Sequence, residues 1–177
     1  MALIYEGRVA WIFPDNFDAD LIVGVQHIKE TNPEKFLPLT MKEYDPDFLQ
    51  QVAKGDILVA GKNFGYGHPH FQGMAAMRKL GLWCILAESF APAFFRSEIV
   101  SGMALLTVPG ITERVKRFER IKVEVEQGLV HNLDNGDVIQ GVKPSPIILD
   151  LINNRGMMGF IKAELAKDYE PGKNKEA

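Results

Sequence analysis

The chain has 177 residues, 46% of them apolar and 24% charged, with a formal net charge of −3. That length suffices for one domain with a proper core, and the composition is ordinary for a globular protein. The charge gives no electrostatic reason to expect nucleic acid or an anionic membrane as partner, and no apolar run approaches the ~20 residues of a membrane span. The N-terminus has no basic stretch followed by an apolar run and a cleavage site, so the sequence predicts a cytoplasmic protein.

Residues 6–13 predict a first strand, 14–20 a polar loop and 21–25 a short apolar run. Asn32 as cap, Pro33 at the first helical position and Glu34 in the first turn predict a short helix. A second follows over 48–53 and ends at Gly55. Residues 56–60 read as a buried strand, 74–80 as a helix closed by Gly81, and 82–87 as another buried strand. Strand, helix and strand of these lengths make a βαβ unit with a parallel pair. A helix over 92–101, ended by Gly102, and a strand over 104–108 extend that layer. After Pro109-Gly110 a short helix is expected at 112–118. The period-two run 121–125, its return at 129–132, the Asn135-Gly136 turn and the run 137–142 predict an antiparallel meander, joined to the N-terminal strand. Pro144 and Pro146 lead into an apolar helix over 147–152, broken at 153–156, and a last helix covers 157–165. One domain is expected over 1–166, with a charged, fraying tail at 167–177. The fold class is α/β, a small parallel βαβ layer plus antiparallel strands.

The stretch between the 56–60 strand and its helix holds three glycines (Gly61, Gly65, Gly67) and two histidines (His68, His70). A glycine-rich turn from a strand into a helix start can offer backbone N–H groups to an anion. Ligands of open α/β sheets gather outside the carboxyl ends of strands. The plainer reading is a tight turn with surface histidines. Neither a phosphate-binding loop nor a dinucleotide fingerprint is present, because the Gly-Lys-Ser/Thr ending and the G-x-G-x-x-G spacing are both lacking. The single cysteine, Cys84, lies in the 82–87 strand and reads as a core thiol. One cysteine cannot hold an iron–sulfur cluster, and four scattered histidines (His27, His68, His70, His131) make no metal site. Any cluster this protein works with must be held by another chain.

Four segments in order resemble a known family. Asp18-Ala19-Asp20-Leu21-Ile22 resembles its Asp-Thr-Asp-x-Ile. The run from Gly55 through Asp56, Gly61, Asn63, Phe64 and Gly65 to Gly67 resembles its Gly-Asp-x-Ile-Val-Ala-Gly-x-Asn-Phe-Gly-x-Gly. The run from Ala87 through Ser89, Phe90 and Arg96 to Ser97 resembles its Ala-x-Ser-Phe-Ala-Arg-Ile-Phe-x-Arg-Asn. Lys143-Pro144-Ser145-Pro146, leading on to Gly156, resembles its Lys-Pro-Leu-Pro. The family is the small subunit of isopropylmalate isomerase (3-isopropylmalate dehydratase) and of archaeal homoaconitase, free-standing versions of the aconitase swivelling domain. The resemblance spans roughly residues 5–165 and implies a swivelling β/β/α fold. It further implies addition or removal of water at a hydroxy-di- or tricarboxylic acid. The partner would be a large subunit carrying a [4Fe–4S] cluster, with no cofactor on this chain.

The sequence departs from the family at the site. Where the family has Ser-Ser-Arg-Glu-His, this chain has His68-Pro69-His70-Phe71-Gln72. The family's serine base falls on His68 and its substrate-binding arginine on His70. Imidazole, with an ordinary pKa of about 6.5, suits proton transfer at neutral pH better than a hydroxyl. His68 is therefore expected as the base and His70 as a carboxylate-binding group. The alternative stays open that the loop has lost catalysis, leaving a non-catalytic accessory or small-molecule-binding subunit. Pro69 removes an N–H and biases His68 towards extended backbone, which disturbs an anion cradle. The resemblance also points to Lys29, Asn63, Gly65, Gly67 and Arg96 as substrate-side positions. Asn63 is read as fixing the loop. Arg96 either orients the site or pairs with a carboxylate such as Glu98 or Asp20, and the structural role is favoured. Asp18 and Asp20 read as turn and cap residues.

Overall fold

The computed structural model describes residues 3–168. Seven strands form one sheet: β1 (Ile4–Phe13), β2 (Ile57–Ala60), β3 (Cys84–Ala87), β4 (Ala104–Thr107), β5 (Arg120–Glu124), β6 (Leu129–Asn132) and β7 (Val138–Gln140). Their spatial order is β4-β3-β2-β1-β5-β6-β7. The pairs β1–β2, β2–β3 and β3–β4 are parallel, and β1–β5, β5–β6 and β6–β7 antiparallel. The expected α/β class, a parallel layer joined to an antiparallel meander through the N-terminal strand, is what the chain adopts.

Strand β1 is divided between the two halves. Its first half, Ile4 to Arg8, pairs with β5, and its second half, Val9 to Phe13, pairs with β2, with a register shift between Val9 and Trp11. The sheet curls until its edges meet: beyond β7, Val142 donates its N–H to the carbonyl of Thr107 at the end of β4 (2.8 Å).

Among the described residues seven α-helices accompany the strands: α1 (Pro33–Phe36), α2 (Phe48–Gln51), α3 (Phe71–Lys79), α4 (Pro92–Val100), α5 (Ile111–Arg114), α6 (Pro146–Asn153) and α7 (Met157–Asp168). Asn32 caps α1 by accepting from the N–H of Glu34, with Pro33 at the first position, as its sequence predicts. Helix α3 begins at Phe71, three residues earlier than apolar spacing suggests, and α5 is shorter than expected. The chain leaves α5 at Val115, which is buried and extended. Arg117 then folds back, its guanidinium 4.5 Å from the ring centres of both Trp11 and Phe118, and donates to the carbonyl of Ala10 (3.0 Å). Those contacts outweigh helix propensity over 115–118. Helix α7 runs through Lys167 to Asp168, where the tail was expected to begin; residues 169–177 lie outside the described residues.

The core lies on both faces of the parallel strands. Every residue of β2 and β3 is buried, the pattern of a sheet covered on two sides. Under the carboxyl ends of β1 and β2 sits an aromatic cluster of Phe13, Phe17, Phe64 and Phe94. The Phe13 and Phe64 rings are 5.0 Å apart, and those of Phe64 and Phe94 lie edge-on at 5.2 Å. Edge and offset contacts of this kind add to the area buried. The cluster is the floor on which the β2–α3 loop rests. Among the described residues no helix is long and apolar enough to cross a membrane.

Candidate functional site

The β2–α3 loop leaves the carboxyl end of β2 and is tied down almost residue by residue. Gly61 N–H donates to Phe13 O (2.9 Å), Lys62 N–H to Asp15 Oδ1 (2.6 Å) and Asn63 N–H to Ser89 Oγ (2.8 Å). Phe64 N–H reaches Ser89 O (3.0 Å), and Gly65 and Tyr66 both donate to Phe17 O. Gly65 is required here. Its φ is +80°, and a Cβ would lie 2.1 Å from Cγ of Phe94. The loop therefore spends most of its amides on neighbouring segments of the chain. Over 61–68 only Gly67 and His68 keep N–H groups without an acceptor among the described residues. The anion cradle expected of the whole loop narrows to these two and to the first turn of α3, which no side chain caps.

His70 ends the loop and is held twice by one residue. Its N–H donates to Asp20 Oδ1 (2.6 Å), and its ring Nδ1 lies 2.7 Å from Asp20 Oδ2. Asp20 is buried, at 5% exposure. It sits in a turn of 3₁₀ helix, Ala19–Ile22, whose cap Asp18 accepts from the N–H of Asp20 (2.9 Å). Gly73 permits the approach of the two elements: a Cβ there would lie 2.3 Å from the carbonyl oxygen of Ala19. A carboxylate facing Nδ1 orients the ring, and in the neutral tautomer that donates to it the Nε2 lone pair is free. His68 is exposed and makes no hydrogen bond among the described residues, and its ring centre is 5.6 Å from that of His70.

The remaining sequence candidates divide. Asn63 is spent on the loop as expected, its Nδ2 donating to Asn16 Oδ1 (2.9 Å). Lys29 is exposed and unpaired among the described residues, on a strap held by Gln72. The buried Nε2 of Gln72 donates to Ile28 O (2.5 Å) and Glu30 O (2.9 Å), while its Oε1 has no partner. Glu30 is engaged elsewhere. It accepts from the N–H of Asn32 and pairs with Lys35, and those interactions, the Asn32 bond foremost, lower its pKa. Arg96 does not pair with Glu98 or Asp20. Glu98 is taken by Arg78 and Asp20 by His70, and Arg96 is left exposed on α4 without a partner among the described residues. Asp20 and Gln72 are the residues that sequence reading undervalued. The only local signal was an aspartate followed directly by an apolar turn.

Cys84 does not suit a cluster. It is buried in β3, and burial pushes its thiol far up from the ordinary range. Among the described residues no group of three or more His, Cys, Asp or Glu is placed to hold a metal ion.

No family model matches the sequence. The chain is 35% identical over 167 residues to the isopropylmalate/citramalate isomerase small subunit of Methanocaldococcus jannaschii, which covers 94% of this chain and 99% of that protein. It is 32% identical over 167 residues to the 3-isopropylmalate dehydratase small subunit of Aquifex aeolicus, with the same coverage. The crystal structure of 3-isopropylmalate dehydratase from M. jannaschii shares the fold, with a TM-score of 0.83 at 24% identity over 94% of this chain and 98% of that one. Fold and relatives together define a subunit of an aconitase-like hydro-lyase. The chain belongs to the family of 3-isopropylmalate dehydratase small subunits. A small subunit implies a large-subunit partner.

Proposed function

We propose that this chain supplies the proton-transfer group for adding or removing water at a small hydroxy-di- or tricarboxylic acid, within a complex whose large subunit carries a [4Fe–4S] cluster. The curated relatives are named for isopropylmalate and citramalate, acids of that class. The observation that carries the reading is the His70–Asp20 pair at 2.7 Å, set beside an uncapped helix start. Sequence comparison put the base at His68. The base is assigned here to His70, because it alone is oriented by a second group.

In this reading His70 Nε2 takes the proton from the carbon next to a substrate carboxylate. Asp20 stabilises the imidazolium that forms and holds its ring in place. The C–H electron pair forms the carbon–carbon double bond as the hydroxyl leaves the neighbouring carbon to become water. The partner's cluster would supply the Lewis acidity for that departure. In hydration Nε2 gives its proton back to carbon as the hydroxyl adds. His68 and the amides of Gly67 and His68 meet a substrate carboxylate, with the N-terminal end of α3 adding its favourable dipole. Lys29, on the Gln72-held strap, faces a second anionic group, and Arg96, exposed on α4, is a further candidate cation. Asn63 and Gly65 serve by shaping the loop. The chain swivels as one domain over the partner's surface.

The test is the complex reconstituted anaerobically with its large subunit and assayed on a panel of 2-hydroxy di- and tricarboxylates. For His70→Ala, kcat is expected to fall about 10²–10⁴-fold, the usual contribution of a positioned base. Asp20→Asn should lower kcat less, and His68→Ala should raise KM more than it lowers kcat. A His70→Ala complex with wild-type kcat would overturn the assignment. A stable complex with no turnover on any acid would establish an accessory subunit instead.

A further inference from the structure

The amino ends of the parallel strands, opposite the catalytic loop, carry a separate cavity of about 380 Å³. Ligand sites commonly measure ~300–1,000 Å³. Residues at the starts of β1 to β4 line it, and the α6–α7 turn closes one side.

The charged lining is one-sided. Tyr5, Lys54 and Arg155 present donors, and no acidic residue lines the cavity. Burial pushes the Tyr5 phenol up to about 12, so it keeps its proton at neutral pH. Arg8, Arg78, Arg114, Arg117 and Arg120 each pair with a carboxylate. Arg155 does not, and Lys54 is likewise unpaired among the described residues. The Arg155 guanidinium lies 6.0 Å from the centre of the Trp83 indole. Arg155 also has a φ of +55°, in the left-handed region where glycine and asparagine are usual. That conformation belongs to the turn that closes α6, where Arg155 N–H donates to Ile152 O (3.0 Å) and Gly156 N–H to Leu151 O (2.7 Å), and the turn sets Arg155 in the cavity wall. The apolar part of the wall is formed by Ile4 and Ile152 beside the indole, and Asn153 adds one neutral amide.

We propose that this cavity binds a small monocarboxylate with a short apolar or aromatic body. The carboxylate meets Arg155, Lys54 and the Tyr5 hydroxyl, and the body lies against Trp83, Ile4 and Ile152. The site is independent of the hydro-lyase reading, because it shares no residue with the β2–α3 loop. Its ligand differs in chemistry from a hydroxy-di- or tricarboxylate, having one anionic group and an apolar remainder.

The test uses the full chain labelled with ¹⁵N, titrated with 4-methylpentanoate and with benzoate, while Trp83 fluorescence is followed in parallel. The uncharged 4-methylpentanamide and inorganic phosphate serve as controls. Saturable binding with Kd of order millimolar is expected for probes of this size, with amide shifts at Gly55, Gly81 and Gly102. Arg155→Gly places the usual residue at this helix-ending position, so it keeps the fold while weakening the carboxylate about tenfold or more. Lys54→Gln is expected to weaken it about threefold, as loss of an exposed charge does. Any one of four results would overturn the proposal: no saturation, shifts centred on residues 61–72, undiminished binding to Arg155→Gly, or an amide that binds as well as its acid. Phosphate binding as tightly as 4-methylpentanoate would show that charge alone is recognised and would remove the apolar body from the proposal.

Discussion

The two halves of the sheet share β1 and bury their strands differently. In β2 and β3 every residue is buried, whereas β5 and β6 alternate between buried and half-exposed. Parallel strands must be joined by crossovers, which cover the sheet with helices and leave long loops at the strand ends. Antiparallel strands return through short turns. On this molecule the candidate site sits where the crossovers are: the loop into α3 and the Asp20 turn meet above the carboxyl ends of β1 and β2. The antiparallel half is bound by local devices. Its hub is Asn132, 1% exposed, which donates to Glu119 Oε2 (2.7 Å) and accepts from the N–H groups of Asp134 and Asn135.

Substitutions can separate the halves. The largest stability loss is expected for Gly65→Ala, which meets both a φ of +80° and the Phe94 ring. It should cost ~3 kcal/mol or more, read from denaturant midpoints, and should also displace the loop and lower turnover. Asn132→Ala is expected to cost about 2 kcal/mol, through buried groups left unpaired. Turnover per folded complex should be unchanged, since the lesion lies in the other half. A fall in turnover beyond the fall in folded protein would show that the halves are coupled. Gly136→Ala is the mild counterpart of Gly65→Ala: φ is +82°, yet a Cβ there meets nothing within 4 Å. It should cost only about 1 kcal/mol, the conformational part alone.

The smallest expected effect is a pH slope in the parallel half. Burial raises the pKa of Glu98, and the Arg78 partner only partly offsets it. The folded state thus holds this proton more tightly than the unfolded chain does. Stability contributed by the protonated form is present below the unfolded value, declines as pH rises towards the raised folded value, and is flat above it. Glu98→Gln should flatten that decline in denaturation series run upward from about pH 4, near the ordinary carboxyl value. An unchanged slope would mean another carboxyl dominates.

Most of the strand order could be read from local pattern, because hydrophobic period and turn residues are local properties. The alternation of 121–125 and the Asn135-Gly136 turn located the meander, and the apolar runs at 56–60 and 82–87 located the parallel pair. The failures were where tertiary contacts decide. Apolar spacing alone extended α5, against a chain pulled back by Arg117. The site divided in the same way. The loop was visible as glycines and histidines, but its orienting carboxylate lies 50 residues upstream of His70. The carbonyls clamped by Gln72 lie 42 and 44 residues upstream. Arg96 and Glu98 look like neighbours in sequence, but residues two apart on a helix do not face each other. Glu98 turns inward to Arg78, while Arg96 points to solvent.

The division of β1 also sets a schedule for making the protein. Ile4 pairs with Glu124, so β1 waits for a partner synthesised 120 positions later. At ~5–20 residues per second that interval is roughly 6 to 24 s. Strand β2 arrives sooner, yet it covers only the second half of β1. During translation the first half is an unpaired edge, open to other chains, and Lys122 and Arg120 arrive only with the strand that closes it. Yield in the cell should therefore depend on how fast the message is read between the two strands, as well as on the stability of the finished fold.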